Sequence, residues 1–290
     1  MHVFVAGATG ALGRPLVRLL IEQGHLVTGL TQSRPDVVEQ LGARPAVGNA
    51  LDADVLTKLV AEAAPDAVVH ALTRIPQSIN ITPANMRLND LTRIKGTLNL
   101  IEACKGVNKL VAGSVTFAFR GRSENKMQPL GNMGPLQPTI EAVESLERQV
   151  LEASGSVLRF GYFYGPGTSI SEQWPAALKA KTFPIVGKGT AWWSFIHVDD
   201  AATGVAAALN AAESGEVYNI VDDEPLLAGE ALDFIAASVQ AKPPRRLLPV
   251  GSARVKHFFN GGTGASNSKA RSAFHWTPRY PSLKEGFESG

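Results

Sequence analysis

Three glycines, each three residues after the last, follow a short apolar segment at the amino end of the chain. Residues 3–6 are apolar enough for a buried parallel strand, and Gly7, Gly10 and Gly13 come directly after them. Leucines then recur at helical spacing until Gly24, which suits a helix C-cap. A glycine turn between a strand and a helix directs backbone N–H groups at a diphosphate. We therefore predict that this amino-terminal unit binds a dinucleotide.

Short apolar segments alternate with helical patterns through the first half of the chain. The residues rich in Gly, Pro and Asn at 120–138 are typical of a loop. Alternating strands and helices are typical of a parallel sheet with right-handed crossovers. The predicted fold class is α/β, a Rossmann-type doubly wound parallel sheet with a small C-terminal substrate-binding lobe. The predicted strands are 26–30, 46–47, 67–71, 109–114 and 157–160, and the main helices are 53–63, 85–104 and 139–153.

The periodic pattern becomes irregular from about residue 166, and this change predicts a division of the chain. A length of 290 residues suits one α/β domain with a small lobe. Asp199 and Asp200 are expected to cap an alanine-rich helix at 201–212. The Rossmann dinucleotide-binding domain is assigned to 1–165 with a returning segment 196–222, and the small substrate lobe to 166–195 and 223–290.

Composition excludes several classes of protein. A net charge of +2 is too mild for a nucleic-acid partner, and no basic stripe with interleaved aromatic residues is present. No apolar run is long enough to span a membrane, and the single cysteine, Cys104, excludes an internal disulfide. No cluster of His, Asp and Glu has metal-ligand spacing, so no metal site is expected. The glycine turn begins too close to Met1 for a signal peptide, which predicts a cytoplasmic protein.

Six further motifs follow the glycine turn and extend to the end of the chain. They lie at residues 69–72, 96–103, 158–167, 195–200, 218–220, and 276–278 with 286–287. In this order the motifs resemble those of the extended and atypical short-chain dehydrogenase/reductases, the NAD(P)-dependent epimerase/dehydratase superfamily. The resemblance implies an active site for a small-molecule substrate between the Rossmann domain and the lobe. It also implies a homodimer through helices 85–104 and 139–153, as members of that family often form.

The end of the second strand predicts which dinucleotide binds. An acidic residue there normally selects NAD, but residues 30–34 contain no carboxylate. Thr31, Ser33 and Arg34, helped by Arg14, suit a ribose 2′-phosphate instead, so we predict NADP(H) and leave NAD open. The resemblance places Asn49 and Ala50 beside the adenine. The complete predicted cofactor set is Gly7, Thr9, Gly10, Ala11, Leu12, Gly13, Thr31, Ser33, Arg34, Asn49, Ala50, Ala71, Leu72, Thr73, Ser114 and Phe160.

The usual proton relay of the family is missing from this chain. Family members carry a tyrosine and, four residues later, a lysine, both on one helix face beside the nicotinamide. Alignment on Glu147 places Thr139 and Val143 at these two positions. A threonine hydroxyl does not ionise near neutral pH and valine has no charge, so the usual relay cannot operate. The candidate catalytic residues are Ser114, Thr116, Thr139 and Tyr162.

The sequence is compatible with three functions. The first is an atypical NADP(H)-dependent oxidoreductase that acts on a small organic substrate by hydride transfer. Reduction of a polarised double bond fits the missing tyrosine better than ketone reduction, because the required proton can arrive from solvent. The second is a non-redox NAD(P)-binding sensor or regulator, and the third is an isomerase, lyase or cyclase on the same fold.

Overall fold

A computed structural model describes residues 1–76, 81–123, 127–131, 133–248, 251 and 253–288. Its strands are β1 (His2–Ala6), β2 (Leu26–Thr31), β3 (Arg44–Val47), β4 (Ala67–His70), β5 (Lys109–Val115), β6 (Phe119–Arg120), β7 (Gln128–Pro129), β8 (Ser156–Phe160), β9 (Tyr162–Tyr164), β10 (Ile185–Val186), β11 (Trp192–Trp193), β12 (Phe195–His197), β13 (Val217–Ile220), β14 (Leu226–Leu227) and β15 (Arg246–Leu247). Its α-helices are α1 (Gly13–Glu22), α2 (Pro35–Gln40), α3 (Ala53–Ala63), α4 (Pro83–Leu91), α5 (Thr97–Ala103), α6 (Gln137–Glu152), α7 (Ser169–Lys179), α8 (Val198–Ala211), α9 (Ala228–Ser238), α10 (Ala253–Asn260), α11 (Ser268–Phe274) and α12 (Leu283–Glu288).

Seven parallel strands form the central sheet, in the order β13-β8-β5-β4-β1-β2-β3. The chain moves outward from β1 to β3 and then returns to place β4 on the other side of β1. The carboxyl ends of β1 and β4 therefore lie side by side, with Ala6 paired to His70. Ligands of doubly wound sheets bind in the crevice at such a reversal of strand order. The predicted fold class is confirmed.

Both faces of the sheet are covered by helices, which explains the continuous apolar character of β1. Val3 and Val5 pack with Leu16 and other residues of α1 and α8 on one face. Phe4 and Ala6 pack on the opposite face, where α3 and α5 contribute apolar side chains. Strands that are buried on both sides need apolar residues at successive positions. The burial of every residue from 3 to 6 follows from this requirement.

The carboxyl-terminal part of the chain has an apolar cluster of its own. Trp174, Phe183, Trp193 and Phe259 meet there with aliphatic residues of α9. The indole of Trp193 lies 4.6 Å from the ring of Phe258, measured between ring centroids. The proposed division of the chain near residue 166 remains a prediction, and this separate cluster supports it.

Two predictions about the helices were wrong in detail. The helix expected at 85–104 is divided into α4 and α5 by a π-helical segment, Thr92–Gly96. Helix α8 is capped by the ring of His197, whose Nδ1 accepts the backbone N–H of Asp199 at 3.2 Å. Asp200 does not cap it, because its carboxylate accepts the backbone N–H groups of Arg279 and Tyr280 at 2.8 and 2.9 Å. That carboxylate thereby holds the carboxyl-terminal segment against α8.

The glycine turn is set by close backbone contacts. Gly7 has a φ of +98°, a conformation that favours glycine. A Cβ atom on Gly7 would lie 2.5 Å from the carbonyl oxygen of Ala71, and one on Gly13 would lie 2.1 Å from the carbonyl oxygen of Gly7. The turn therefore packs against the end of β4 on one side and against the start of α1 on the other.

We expect Gly13→Ala to destabilise the protein by about 1–3 kcal/mol, the usual cost of overpacking a close contact. The added methyl group would collide with the Gly7 carbonyl, which cannot move without shifting the turn. Urea unfolding of Gly13→Ala measures this loss. The matched control is Gly131→Ala, because a Cβ at Gly131 meets no atom within 4 Å. Equal stability of the two variants would contradict the packing role of Gly13.

Candidate active site

A cavity of about 250 Å³ lies at the carboxyl ends of β1, β2 and β4. It occupies the crevice where the strand order reverses, as expected for a dinucleotide site. Most of the predicted cofactor residues line it, namely Gly7, Thr9, Gly10, Thr31, Ser33, Arg34, Asn49, Ala50, Ala71, Leu72 and Thr73. Most residues predicted to bind the cofactor therefore line one cavity. Contact of each residue with a cofactor remains a prediction.

The other predicted cofactor residues lie outside this cavity. Ala11, Leu12 and Gly13 form the end of the turn and the start of α1, and Leu12 is buried. Ser114 and Phe160 lie at the carboxyl ends of β5 and β8, on the side of β4 away from the cavity. These two positions suit the nicotinamide half of a dinucleotide rather than its adenosine half.

Gln32 and Arg74 also line the cavity, and sequence reasoning missed both. The guanidinium of Arg74 donates a hydrogen bond to Oε1 of Gln32, which joins the loop after β4 to the end of β2. The backbone N–H of Arg74 donates to Oδ1 of Asn89 at 3.0 Å. Both residues are next to predicted ones in the sequence, so extending the β2 and β4 motifs by one residue would have found them.

Two guanidinium groups meet at Thr9 on the rim of the cavity. Nε of Arg14 donates to the Thr9 carbonyl oxygen at 3.1 Å, and Nη2 of Arg34 donates to the same oxygen at 3.3 Å. The backbone N–H of Arg34 donates to Oγ1 of Thr31 at 3.2 Å, which fixes the start of the loop. The ion pairs found among the described residues include neither arginine. This rim therefore presents positive charge that has no carboxylate partner.

Helix α6 carries the altered pair of the family relay. Oγ1 of Thr139 donates to Oδ2 of Asp90 at 2.9 Å, and burial raises the pKa of that carboxyl group. Val143, one helical turn later, is 2% exposed and belongs to an apolar cluster with Ile140. This helix face therefore offers neither a phenol nor an ammonium group.

Glu147, one further turn along α6, is the centre of a buried polar group. Its Oε1 accepts from Oγ of Ser114 at 2.5 Å and from Nε of Arg159 at 2.9 Å. Its Oε2 accepts from Nη2 of Arg159 at 2.6 Å. The guanidinium of Arg159 also stacks on Phe119, 3.7 Å from the ring centroid. The hydroxyl of Ser114 therefore already donates its hydrogen bond to a protein group.

The last two candidates lie at the ends of β5 and β9. Oγ1 of Thr116 donates to the carbonyl oxygen of Phe160 at 3.2 Å. The ring of Tyr162 stacks on Phe117, with 4.8 Å between centroids and 8° between planes, and it also contacts Trp193. The hydroxyls of Ser114, Thr116 and Thr139 each donate to a protein acceptor, and Tyr162 belongs to an aromatic wall. A catalytic role for these four residues remains a prediction.

The described residues have three further features. Within that part of the chain, no helix combines the length and the apolar character needed to cross a membrane. Its His, Cys, Asp and Glu side chains form no group of three or more that could hold a metal ion. Cys104 is a buried free thiol, and burial raises its pKa to about 11. A thiol with a raised pKa is a poor nucleophile.

The sequence profile of the NAD dependent epimerase/dehydratase family matches residues 3–221. The chain belongs to this family. Membership confirms the resemblance described above and the prediction of an oxidoreductase that binds a nicotinamide dinucleotide.

Relatives of this family member include both reductases and epimerases. A 3-diazoavenalumate denitrifying reductase from a Streptomyces species is 35% identical over 303 residues, which cover 99% of each chain. The structure of a Thermotoga maritima UDP-glucose 4-epimerase with UDP-glucose has a TM-score of 0.79 and 21% identity, and covers 99% of this chain and 96% of that one. A Thermus thermophilus UDP-glucose 4-epimerase in complex with NAD has a TM-score of 0.78 and 22% identity, with 99% and 97% covered. The two epimerase structures show the shared fold.

We expect Glu147→Leu to destabilise this family member by about 3–5 kcal/mol, because Arg159 would remain as a buried charge without its partner. The double variant Glu147→Leu/Arg159→Met removes both charges and should recover most of that loss. Urea unfolding measures all three proteins, with Glu141→Leu on the exposed face of α6 as the control. A single variant as stable as this control would show that the ion pair contributes little.

Proposed function

We propose that this chain is an NADP(H)-dependent reductase that delivers hydride to a small organic electrophile without a proton from a tyrosine–lysine pair. The altered face of α6 carries this proposal. The hydroxyl of Thr139 donates a hydrogen bond to Asp90, and the buried Val143 stands where a cation would acidify a neighbouring phenol. A site of this kind favours a reduction in which no strongly basic oxygen has to be protonated as the hydride arrives.

The preference for NADP(H) is supported by the rim of the cavity. Arg14 and Arg34 converge on Thr9, and Arg74 reaches Gln32 from the opposite wall. Guanidinium groups recognise phosphate by paired N–H donors, and a carboxylate at the end of β2 would repel it. Thr31 ends β2 in place of that carboxylate. The 2′-phosphate of NADP(H) therefore suits this rim better than the bare ribose of NAD.

The chain's own residues hold the dinucleotide and shield the reacting end. The glycine turn and the amino end of α1 suit the diphosphate, and the loop 31–34 suits the adenosine ribose. The aromatic wall of Phe117, Tyr162 and Trp193 lies just after β5 and at the start of β9, and we infer that it borders the reacting end. The bound reduced nicotinamide supplies the hydride. Ser114 and Phe160 are proposed to line its pocket.

The choice of electrophile follows from the available protons. Ketone reduction creates an alkoxide that needs a proton at once, whereas reduction of a polarised carbon–carbon double bond leaves a stabilised carbanion that solvent can protonate. Reduction of an aryl diazonium ion needs no proton at all, because hydride joins the ring carbon and N₂ leaves. The Streptomyces relative is named as a denitrifying reductase of a diazo compound. We therefore place aryl diazonium ions first and enones second as substrate classes.

A homodimer through α4, α5 and α6 is also proposed. Leu88, Leu91, Ile94 and Leu98 are each between 43% and 51% exposed, at a spacing that follows one side of this helical segment. Contiguous exposed apolar side chains mark interaction surfaces. This stripe supports pairing with a second copy through the helices that the family resemblance implies.

We expect Arg34→Ala to weaken NADPH binding roughly 10–100-fold, the factor that corresponds to a lost charge-assisted hydrogen bond to phosphate. NADH binding should change little, because NADH lacks the 2′-phosphate. Fluorescence titration with both dinucleotides measures the two dissociation constants. Arg18→Ala, on the exposed side of α1, is the matched control.

A second variant tests the same rim by adding a negative charge instead of removing a positive one. Thr31→Asp places a carboxylate at the end of β2 and should shift the preference toward NADH. Equal loss of NADPH and NADH binding in Arg34→Ala would contradict the assignment of the 2′-phosphate to this rim. Failure of the unaltered protein to bind either dinucleotide would refute the proposed function as a whole.

Isotope labelling tests the reaction class. With NADPH that carries deuterium at both C4 positions and an aryl diazonium substrate in ordinary water, the product should carry one deuterium on the ring. The reverse experiment, unlabelled NADPH in D₂O, should give an unlabelled product, and the rate should be independent of pH between about 6 and 8 because no acid takes part. Mass spectrometry of the product and stopped-flow absorbance of NADPH measure both results.

The control variant and the competing substrates make this experiment decisive. Tyr162→Phe should reduce the diazonium ion at the rate of the unaltered protein, because no phenolic proton is needed. An enone should incorporate one solvent deuterium in addition to the hydride. Tight binding of NADPH without turnover of diazonium, enone or ketone would contradict the reductase proposal and favour a sensor.

A further inference from the structure

Arg93 is a buried cation that has no hydrogen-bond partner for much of its guanidinium group. It lies in the π-helical segment between α4 and α5 and is 3% exposed. Its Nε and Nη1 are buried without an acceptor, and the ion pairs found among the described residues do not include it. Burial, opposed by the charges of Asp90 and Glu147, lowers its pKa to about 10, so it stays protonated at neutral pH.

The carboxylates that face Arg93 are already occupied. Asp90 accepts the hydroxyl of Thr139, and both oxygens of Glu147 accept hydrogen bonds from other groups, including Arg159. His70, at the end of β4, does not compensate the charge either. Its Nε2 pairs with Oγ1 of Thr97 at 2.7 Å and its Nδ1 accepts the Leu72 N–H, which describes a neutral ring. Burial first, and the Arg93 cation second, lower the pKa of His70 to about 4.

Arg93 lies near the helix that carries the altered relay. Thr139, Val143 and Glu147 lie at successive turns of one face of α6. The π-helical segment that carries Arg93 packs against α6, and the charge of Arg93 interacts with those of Glu147 and of Asp90, the partner of Thr139. The preceding residue, Thr92, lines the dinucleotide cavity. Arg93 therefore directly follows a residue of the cavity wall and neighbours the helix that carries the altered relay.

The burial of the unpaired Arg93 guanidinium lowers the stability of the protein when no ligand is bound. Buried polar groups are nearly always hydrogen-bonded, and a buried charge without partners is more costly than a neutral side chain of similar size. Neither neighbouring carboxylate depends on Arg93, because each has other donors. The π-helical segment is a further local irregularity, and such segments occur often at functional sites.

We propose that Arg93 supplies the fixed positive charge that α6 lacks at Val143, and that its guanidinium binds the ribose hydroxyls on the nicotinamide side of NADP(H). This role rests on the cofactor class proposed above. Arg93 is a positioning residue: by holding that ribose it orients the nicotinamide and takes no part in proton transfer. The two arginine sites then have separate tasks, since Arg34 selects the 2′-phosphate and Arg93 holds the other end of the dinucleotide.

Arg93→Met tests the assignment with three probes and without turnover. We expect it to weaken NADPH and NADH binding by the same factor, roughly tenfold for a lost hydrogen-bonded charge, because both share the nicotinamide ribose. Binding of 2′,5′-ADP, which lacks that half, should be unchanged. Arg34→Ala should give the opposite pattern, with 2′,5′-ADP and NADPH weakened and NADH spared. Arg87→Met, an exposed arginine on α4, is the control.

Two further measurements separate positioning from a structural role. The melting temperature of Arg93→Met without dinucleotide should equal or exceed that of the unaltered protein, because an unpaired buried charge has been removed. Arg93→Lys should retain part of the affinity for NADPH. Arg93→Met/Val143→Lys should recover binding, since it returns a cation to the α6 face.

Each other outcome overturns the assignment. A lower melting temperature or failure to fold in Arg93→Met would show that the cation is structural. Unchanged binding of NADPH, or equal weakening of 2′,5′-ADP, would show that Arg93 does not contact the nicotinamide half. If the unaltered protein binds neither NADPH nor NADH, the proposed function fails first, and that result is distinct from a failure confined to the Arg93 variants.

Discussion

The close approach of three backbone segments governs the whole site. Gly7 packs against the carbonyl of Ala71, and Gly13 packs against the carbonyl of Gly7, so that the turn, the end of β4 and the start of α1 touch without side chains between them. The helix amino end then lies at the strand reversal, where the cavity forms. A side chain at either glycine would separate these elements and close the place where a diphosphate approaches. The shape of the cofactor site in this chain therefore depends first on backbone geometry and only then on functional side chains.

Hydrogen bonds within the protein limit the ability of the hydroxyl groups near α6 to donate a proton to a substrate. Ser114, Glu147 and Arg159 form one buried group, and Thr139 is bound to Asp90. Hydroxyls that already donate to carboxylates are poor sources of a proton for a substrate, because a substrate must first displace a charge-assisted hydrogen bond. These pairings leave the hydroxyls of Ser114 and Thr139 engaged with carboxylates. This is the physical basis for proposing electrophiles that need only hydride.

Local patterns predicted the parts of the molecule that depend on neighbouring residues. The glycine turn, the apolar strands and helix α3 are all encoded within a few residues. The bond between Ser114 and Glu147 joins residues 33 apart in sequence, and no local period indicates it. Asp200 looks like a helix cap from its neighbours, yet its partners lie about 80 residues away. The π-helical segment contains Gly96, but a single glycine inside a helical pattern does not by itself predict a π-helical turn.

The contrast between paired and unpaired charges bears on the choice between an enzyme and a sensor. A protein that only detects a dinucleotide can obtain its affinity and selectivity from the adenosine half, where Thr9, Arg14 and Arg34 converge. In the role proposed for Arg93, its unpaired buried guanidinium adds a cost in stability that such a protein does not need. Natural proteins keep destabilising arrangements where activity requires them. The burial of Arg93 near the altered helix therefore supports the proposal that this chain positions a nicotinamide for reaction, with a positive charge supplied from a different helical segment.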